Sequence, residues 1–271
     1  MDHVPIYTPK NNEKMRVACF VSGSGTNARK IIERSRKSDS RYSVELIFTD
    51  VKDDRLYKSG KKRCMAKDIA VEYGISYECE DIRDFYKSKG HKTRRDLSLR
   101  PEFDGLVLEK TSNYEIDIVA LAGYMSVTTE PLLEAFNGRM INVHPADLSI
   151  MEGEERKYVG MHAVRDAILS GERELRATTH VVREKVDYGE ILIISEPLPV
   201  TIPDNTDLKL LEKEKEILNR IVSQHQNELK EFGDWIIYPL TLQMIAEGRF
   251  ALNGCENVYF NGKKTECGHK L

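Results

Sequence analysis

Paired cysteines, long apolar runs and an excess of one charge are all missing from this chain, and each absence removes a class of function. The five cysteines, Cys19, Cys64, Cys79, Cys255 and Cys267, form no Cys-x-x-Cys motif and leave an odd count, which argues against a disulfide framework. Cys255, Cys267 and His269 lie near one another in sequence, but their spacing matches no common zinc pattern and no metal site is expected. No run is long enough to cross a membrane, and Met1 to Lys14 has Pro5, Pro9 and several charges instead of the apolar core of a signal peptide. The expectation is a cytoplasmic protein with no membrane contact. A formal charge of −3 provides no global basic field, so nucleic acid is not expected as a partner. The local runs Lys61-Lys-Arg63 and Lys92-Thr-Arg-Arg95 read as solvated faces.

What is present is enough apolar residue, 40% of 271, for one main domain with elaborations. The reading is an N-terminal extension over 1–14, an α/β domain over 15–252 and a loosely held tail over 253–271. Arg16 to Val21 reads as a strand, Ser22-Gly-Ser-Gly-Thr-Asn27 as a glycine turn, and Ala28 to Arg36 as a helix. A second strand, Ser43 to Phe48, and a helix from Cys64 to Tyr73 closed by Gly74 repeat the alternation. The expected fold class is therefore α/β, a mostly parallel twisted sheet flanked by helices. Ala177 to Val182 and Ile191 to Ile194 read as an antiparallel addition, near residues 177–199, around the turn Asp187-Tyr-Gly189. Residues 79–99 look irregular and charged, and Met151 to Lys157 looks like a mobile polar loop. Thr206 is placed to cap a long helix through Phe232, which Gly233 would break before a second helix from Asp234 to Glu247.

The chemistry concentrates where apolar runs end. Asp117 to Met125 and Arg139 to Pro145 read as buried strands delivering residues to one rim, and Asn142 and His144, two apart, would share a strand face. A carboxamide that donates to an oxyanion beside an imidazole that exchanges a proton is the minimum for acyl transfer. The glycine loop leaves two uses open. Gly23-x-Gly25-x-x-Ala28, with Asp50 ending the second strand, fits a loose dinucleotide fingerprint and a nicotinamide-dependent oxidoreductase. Alternatively, backbone amides at a helix start with Thr26 and Asn27 bind one phosphate, or Thr26 or Asn27 simply caps the helix. A noncatalytic folate- or nucleotide-binding protein is a third possibility.

Taken in order, Ser22-Gly-Ser-Gly-Thr-Asn27, Leu121-Ala-Gly-Tyr-Met125, Asn142-Val-His-Pro145, Thr179-His180, Asp187-Tyr-Gly189, Ile237-Tyr-Pro-Leu240 and Gly248-Arg-Phe250 resemble the glycinamide ribonucleotide formyltransferases of purine synthesis. The resemblance covers about Arg16 to Leu252 and implies a Rossmann-like formyltransferase fold. It also implies transfer of a formyl group from the cosubstrate 10-formyltetrahydrofolate to a ribonucleotide amine, with no covalent enzyme intermediate. The implied catalytic residues are Asn142, His144 and Asp187, and Gly25, Thr26, Asn27 and Arg100 match the phosphate site. Arg83 mimics the position of Arg100 but would need an insertion after it. Leu121, Tyr124, Met125 and Val143 fall on the folate side. The partners implied are small molecules, a phosphorylated ribosyl amine and a reduced folate, and a homodimer is compatible. The wider family also formylates other amines, amino sugars among them. Three departures stand out: His144-Pro-Ala-Asp-Leu-Ser149 followed by an acidic insert and Tyr158-Val-Gly160, where the family reads HPSLLP and then PG; Ser126 where many members carry arginine; and Asp187-Tyr-Gly in place of Asp-Gly-Gly.

Overall fold

The computed structural model describes residues 3–202, 208–254 and 257–271. It resolves into two compact units, Pro5–Asn142 with Leu242–Gly248, and Val143–Thr241 with Arg249–Leu271 and Met1–Val4.

In the first unit, strand Met15–Phe20 pairs in parallel with Tyr42–Thr49 on one side and Ile118–Leu121 on the other. Ser76–Cys79 extends one edge in parallel, and Met140 to Asn142 extends the other. Parallel strands covered on both faces read as continuous apolar runs, which is why Val17 to Val21 and Leu46 to Phe48 are fully buried. Helix Thr26–Ser35 buries Ala28, Ile31, Ile32 and Ser35, the i, i+3, i+4, i+7 stripe of an amphipathic helix. Helix Ala66–Tyr73 ends at Gly74 in the left-handed conformation, as its sequence indicated. The stretch expected to be irregular contains helix Ile82–Ser88, because Asp81 caps it through the N–H groups of Arg83 and Asp84. The following residues are pinned by the Tyr86 hydroxyl, which donates to the Asp96 carbonyl at 2.6 Å. Helix Arg100–Thr111 then leads to strand Ile118–Leu121.

In the second unit, Thr178–Val181 and Ile191–Ile194 form the expected antiparallel pair, with a bulge between Thr179 and His180. Met151–Glu152 and Glu155–Arg156 form a short hairpin where a structureless loop was expected, turning at Gly153 with a φ of 65°; it remains solvated. The expected long helix is interrupted earlier than Gly233. Leu208–Leu211 is separate from Lys215–Leu229, which continues through a π turn, Lys230–Asp234, into Trp235–Ala246. Gly233 does not break this helix. It is buried, and a Cβ there would stand 2.8 Å from the Cβ of Ala177, so the glycine serves close packing. The proposed cap Thr206 lies outside the described residues. The end of the chain is not loosely held: Phe250–Leu252, Val258–Phe260 and Lys263–Thr265 make an antiparallel meander, and His269–Lys270 pairs in parallel with Ile193 and Ile194. Cys255 also lies outside the described residues, while Cys267 is a free thiol and His269 stacks on Phe260 at 4.3 Å.

Gly189 closes the Asp187 turn against the preceding strand so tightly that a Cβ would lie 1.8 Å from the carbonyl oxygen of Val181. Backbone cannot yield as a flexible side chain can, so Gly189→Ala is expected to cost about 1–3 kcal/mol. Thermal unfolding should show a melting temperature lowered by several degrees. An unchanged melting temperature would mean that this approach is looser than described.

Candidate active site

The glycine loop is set by the end of strand Met15–Phe20 and the start of helix Thr26–Ser35. Gly25 is the N-cap residue, left-handed at φ 66°, and no side chain caps the helix, so neither Thr26 nor Asn27 plays the capping role weighed for it. A Cβ on Gly25 would meet Cδ1 of Ile69 at 2.3 Å, which adds a packing reason to the conformational one. With no acidic residue in the first helical turn, the helix start favours an anion.

Beneath this loop lies a buried polar cluster. Ser22 Oγ donates to Asp50 Oδ1 at 2.5 Å and accepts from the Met125 N–H at 2.9 Å, and Ser126 Oγ donates to Asp50 Oδ2. Burial pushes the Asp50 carboxyl up from its ordinary value, against the pull of both serines. Asp50 is 1% exposed and its oxygens are engaged, so it is not presented to a ribose as the dinucleotide reading required. Asp104 accepts from both the backbone N–H and the hydroxyl of Thr129, and burial raises its carboxyl to about 6.

Arg100 begins its helix and is 4% exposed; its guanidinium lies over the Tyr86 ring at 5.8 Å, and Nε and Nη1 have no hydrogen-bond partner. Buried donors left without acceptors are costly, and an anionic ligand would satisfy them. Arg83, the rival position, is exposed on helix Ile82–Ser88. Of the folate-side residues, Met125 is 59% exposed, whereas Leu121 and Tyr124 are buried in the same unit. Tyr124 packs on Phe20 and Phe48, at 5.4 and 6.3 Å between ring centres, and its hydroxyl is unpartnered. Val143 is buried in the second unit.

Strand Met140–His144 carries Asn142, half-buried, and His144, buried. The second unit gathers three groups around one carboxylate. His144 Nδ1 lies 3.4 Å from Asp187 Oδ2, and His180 Nε2 lies 3.5 Å from Asp187 Oδ1. The Gly160 N–H donates to Asp187 Oδ2 at 2.7 Å, and Arg156 Nη1 donates to the Asp187 carbonyl at 2.6 Å. On its other edge His144 Nε2 stands 2.9 Å from the carbonyl oxygen of Tyr158; a carbonyl only accepts, so Nε2 carries the proton there. Burial lowers the His144 pKa, outweighing the opposing pull of Asp187, with His180 adding to the decrease. Burial raises Asp187, but the His180 contact, the His144 charge and the Gly160 N–H outweigh it and hold the carboxyl at about 2. The result is an ionised carboxylate beside an imidazole that is neutral at pH 7, able to take up a proton and be stabilised once it has done so.

The structure thus brings His144 and Asp187 together and adds His180, which as a lone strand histidine could equally have been structural. Tyr158, Gly160 and Arg156 were not anticipated. The first two act through backbone atoms and Arg156 binds a backbone carbonyl, contacts that leave no side-chain motif to read.

The chain belongs to the formyl transferase family, whose sequence profile matches residues 15–223. It is 28% identical over 141 residues to the human trifunctional purine biosynthetic protein adenosine-3, covering 52% of this chain and 12% of that protein. This chain therefore spans about an eighth of the length of that relative. It is 24% identical over 249 residues to the phosphoribosylglycinamide formyltransferase of Haemophilus influenzae, covering 92% of this chain and 94% of that one. The fold matches the crystal structure of glycinamide ribonucleotide transformylase 1 from Symbiobacterium toebii with a TM-score of 0.65 and 24% identity, over 94% of this chain and 99% of that chain.

Because the Asp187 pKa is depressed on folding, its contribution to stability is fully present above the unfolded value of about 3.9 and is lost as pH falls toward the folded value. Asp187→Asn should therefore abolish about 2 kcal/mol of the decline in stability between about pH 5 and pH 2. Urea unfolding of both proteins across that range measures it; parallel pH profiles would show that Asp187 is not held down as described.

Proposed function

We propose that this chain transfers the formyl group of 10-formyltetrahydrofolate to the amine of glycinamide ribonucleotide. The observation that carries the reading is the buried Asp187 carboxylate facing His144 Nδ1, two residues along the strand from Asn142. Family membership supports it, as do the uncapped helix start at Gly25 and the unsatisfied donors of Arg100, which suit a substrate phosphate.

The folate supplies an activated formyl carbon and a nitrogen leaving group. The exposed thioether of Met125 is compatible with a flat apolar ring. The Asn142 carboxamide donates to the oxyanion that develops as the amine attacks. Asp187 keeps the imidazole oriented and accepts the proton lost by the attacking amine, directly or through water, and hands it to the neutral His144, which as the imidazolium stabilises the oxyanion and passes that proton to the folate nitrogen. Gly25, Thr26, Asn27 and Arg100 hold the phosphate. Leu121, Tyr124, Met125 and Val143 belong to the folate side, Tyr124 by supporting its neighbours from the core. Among the described residues no helix is long and apolar enough to cross a membrane, and the reading places the chain in the cytoplasm, acting on small molecules.

The direct test is incubation of the purified protein with 10-formyltetrahydrofolate and a panel of amines, with release of tetrahydrofolate followed spectrophotometrically. Formylation of glycinamide ribonucleotide is expected; reaction only with a different amine, such as an amino sugar nucleotide, would replace the acceptor. Asp187→Asn and His144→Ala should each lower turnover about 10²-fold or more while KM changes little. Near-normal turnover in either would remove the catalytic assignment.

Thr26→Val should weaken the ribonucleotide and leave folate binding almost unchanged, since a lost phosphate contact is not felt by a pterin. Calorimetric titration of both ligands distinguishes the two effects. In the same instrument NAD and NADP should show no specific binding, and micromolar affinity for either would reinstate the oxidoreductase.

A further inference from the structure

Two of the departures from the family pattern meet in the second unit. Tyr188 stands in the turn where Asp-Gly-Gly is usual, and the acidic insert folds as the hairpin Met151–Glu152 and Glu155–Arg156. The half-buried Tyr188 hydroxyl accepts the Arg156 N–H at 3.1 Å and donates to the Glu155 carboxylate. Glu155 also takes the Lys185 ammonium at 2.5 Å, and that ammonium lies 3.6 Å from the centre of the Tyr188 ring. Arg156, whose main chain Tyr188 holds, carries its guanidinium over the same ring at 5.6 Å and onto the Asp187 carbonyl at 2.6 Å. Hairpin and turn are joined by side chains from both.

The turn needs such support. Asp187 is left-handed at φ 62°, a conformation that an aspartate tolerates but does not enforce, and within the turn the Tyr188 N–H reaches the Lys185 carbonyl only at 3.2 Å. Arg156 fixes the Asp187 carbonyl from outside. An exposed ion pair such as Lys185 with Glu155, whose side chain is 64% exposed, contributes little alone. The Tyr188 hydroxyl is placed differently: a carboxylate only accepts, so the hydroxyl proton goes to Glu155 and a lone pair is left for the Arg156 N–H. Two bonds through one oxygen polarise each other and hold both strands of contact in register.

We propose that Tyr188 and Arg156 are positioning residues for the catalytic carboxylate: they clasp the solvated hairpin onto the turn and so fix the Asp187 side chain against His144 and the Gly160 N–H. The inference rests on the proposed function for the catalytic role of Asp187. It gives the acidic insert and the tyrosine a joint purpose, since the hairpin brings the guanidinium and the tyrosine keeps the hairpin in place. Neither residue is required to touch substrate. Their effect reaches the reaction through Asp187.

The test uses the full chain and begins with Tyr188→Phe, which removes the hydroxyl and keeps the ring. Its kcat for formylation of glycinamide ribonucleotide should fall about tenfold, with KM for both substrates kept within about twofold. Arg156→Ala should behave likewise, and the double variant should fall no further than the worse single one, because both act on one turn. Glu155→Gln, which keeps an acceptor for the hydroxyl, should recover most of what Glu155→Ala loses. Independently of turnover, amide hydrogen exchange followed by NMR should show Gly160, whose N–H donates to Asp187 Oδ2, exchanging several-fold faster in Tyr188→Phe. Val181, bonded to the Glu190 carbonyl, should not change. Unaltered Gly160 exchange in Tyr188→Phe would overturn the clasp whatever the turnover. So would an unchanged kcat in that variant of an active chain, or losses that multiply in the double variant. If Gly160 responds as expected while the unaltered chain formylates no glycinamide ribonucleotide, the clasp stands and the proposed function fails.

Discussion

The second unit is arranged around one carboxylate that must stay ionised with little access to water. Asp187 is only 7% exposed, and an isolated charge in that position would neutralise itself by taking a proton. It does not, because the His180 contact and the Gly160 N–H reach its oxygens, and the His144 imidazole adds attraction once it is protonated. To present both oxygens, its backbone takes a left-handed conformation at φ 62°, tolerable for aspartate but unusual for most side chains. Arg156 holds the carbonyl that this conformation turns outward, and Gly189 lets the chain pass under Val181.

The same carboxylate explains how histidine chemistry and burial coexist. Desolvation keeps His144 neutral, the form that can accept a proton, and the neighbouring negative charge favours the imidazolium once the proton arrives. Tyr158 supplies the opposing constraint by fixing Nε2 through its carbonyl oxygen, which leaves Nδ1 facing Asp187. The chain through Tyr158 and Gly160 therefore matters through main-chain positions, while the hairpin contributes the Arg156 side chain. This is how the segment that departs most from the family motif still delivers the donors that hold the histidine–aspartate pair.

The first unit is organised by a related economy of charge. Asp50 is neutralised by hydroxyls and a distant guanidinium instead of a close ion pair, and Ser126, where many family members carry arginine, belongs to that arrangement. Arg100 remains as a buried cation whose Nε and Nη1 have no hydrogen-bond partner among the described residues.

The sequence by itself determined the parallel strands of the first unit, the antiparallel pair around Asp187, the helix ended by Gly74 and the pairing of Asn142 with His144 along one strand. These rest on local rules: apolar runs long enough for a strand, a glycine free to turn left-handed, and alternation of side chains every second residue. Only the tertiary structure decided that Gly233 packs against Ala177 inside a continuing helix, that Asp50 is sealed under two serines, that the last residues pair as strands, and that His180 faces Asp187. Each of these depends on atoms far apart in the chain meeting at contact distance, through backbone donors and packing gaps that no spacing of residue types encodes.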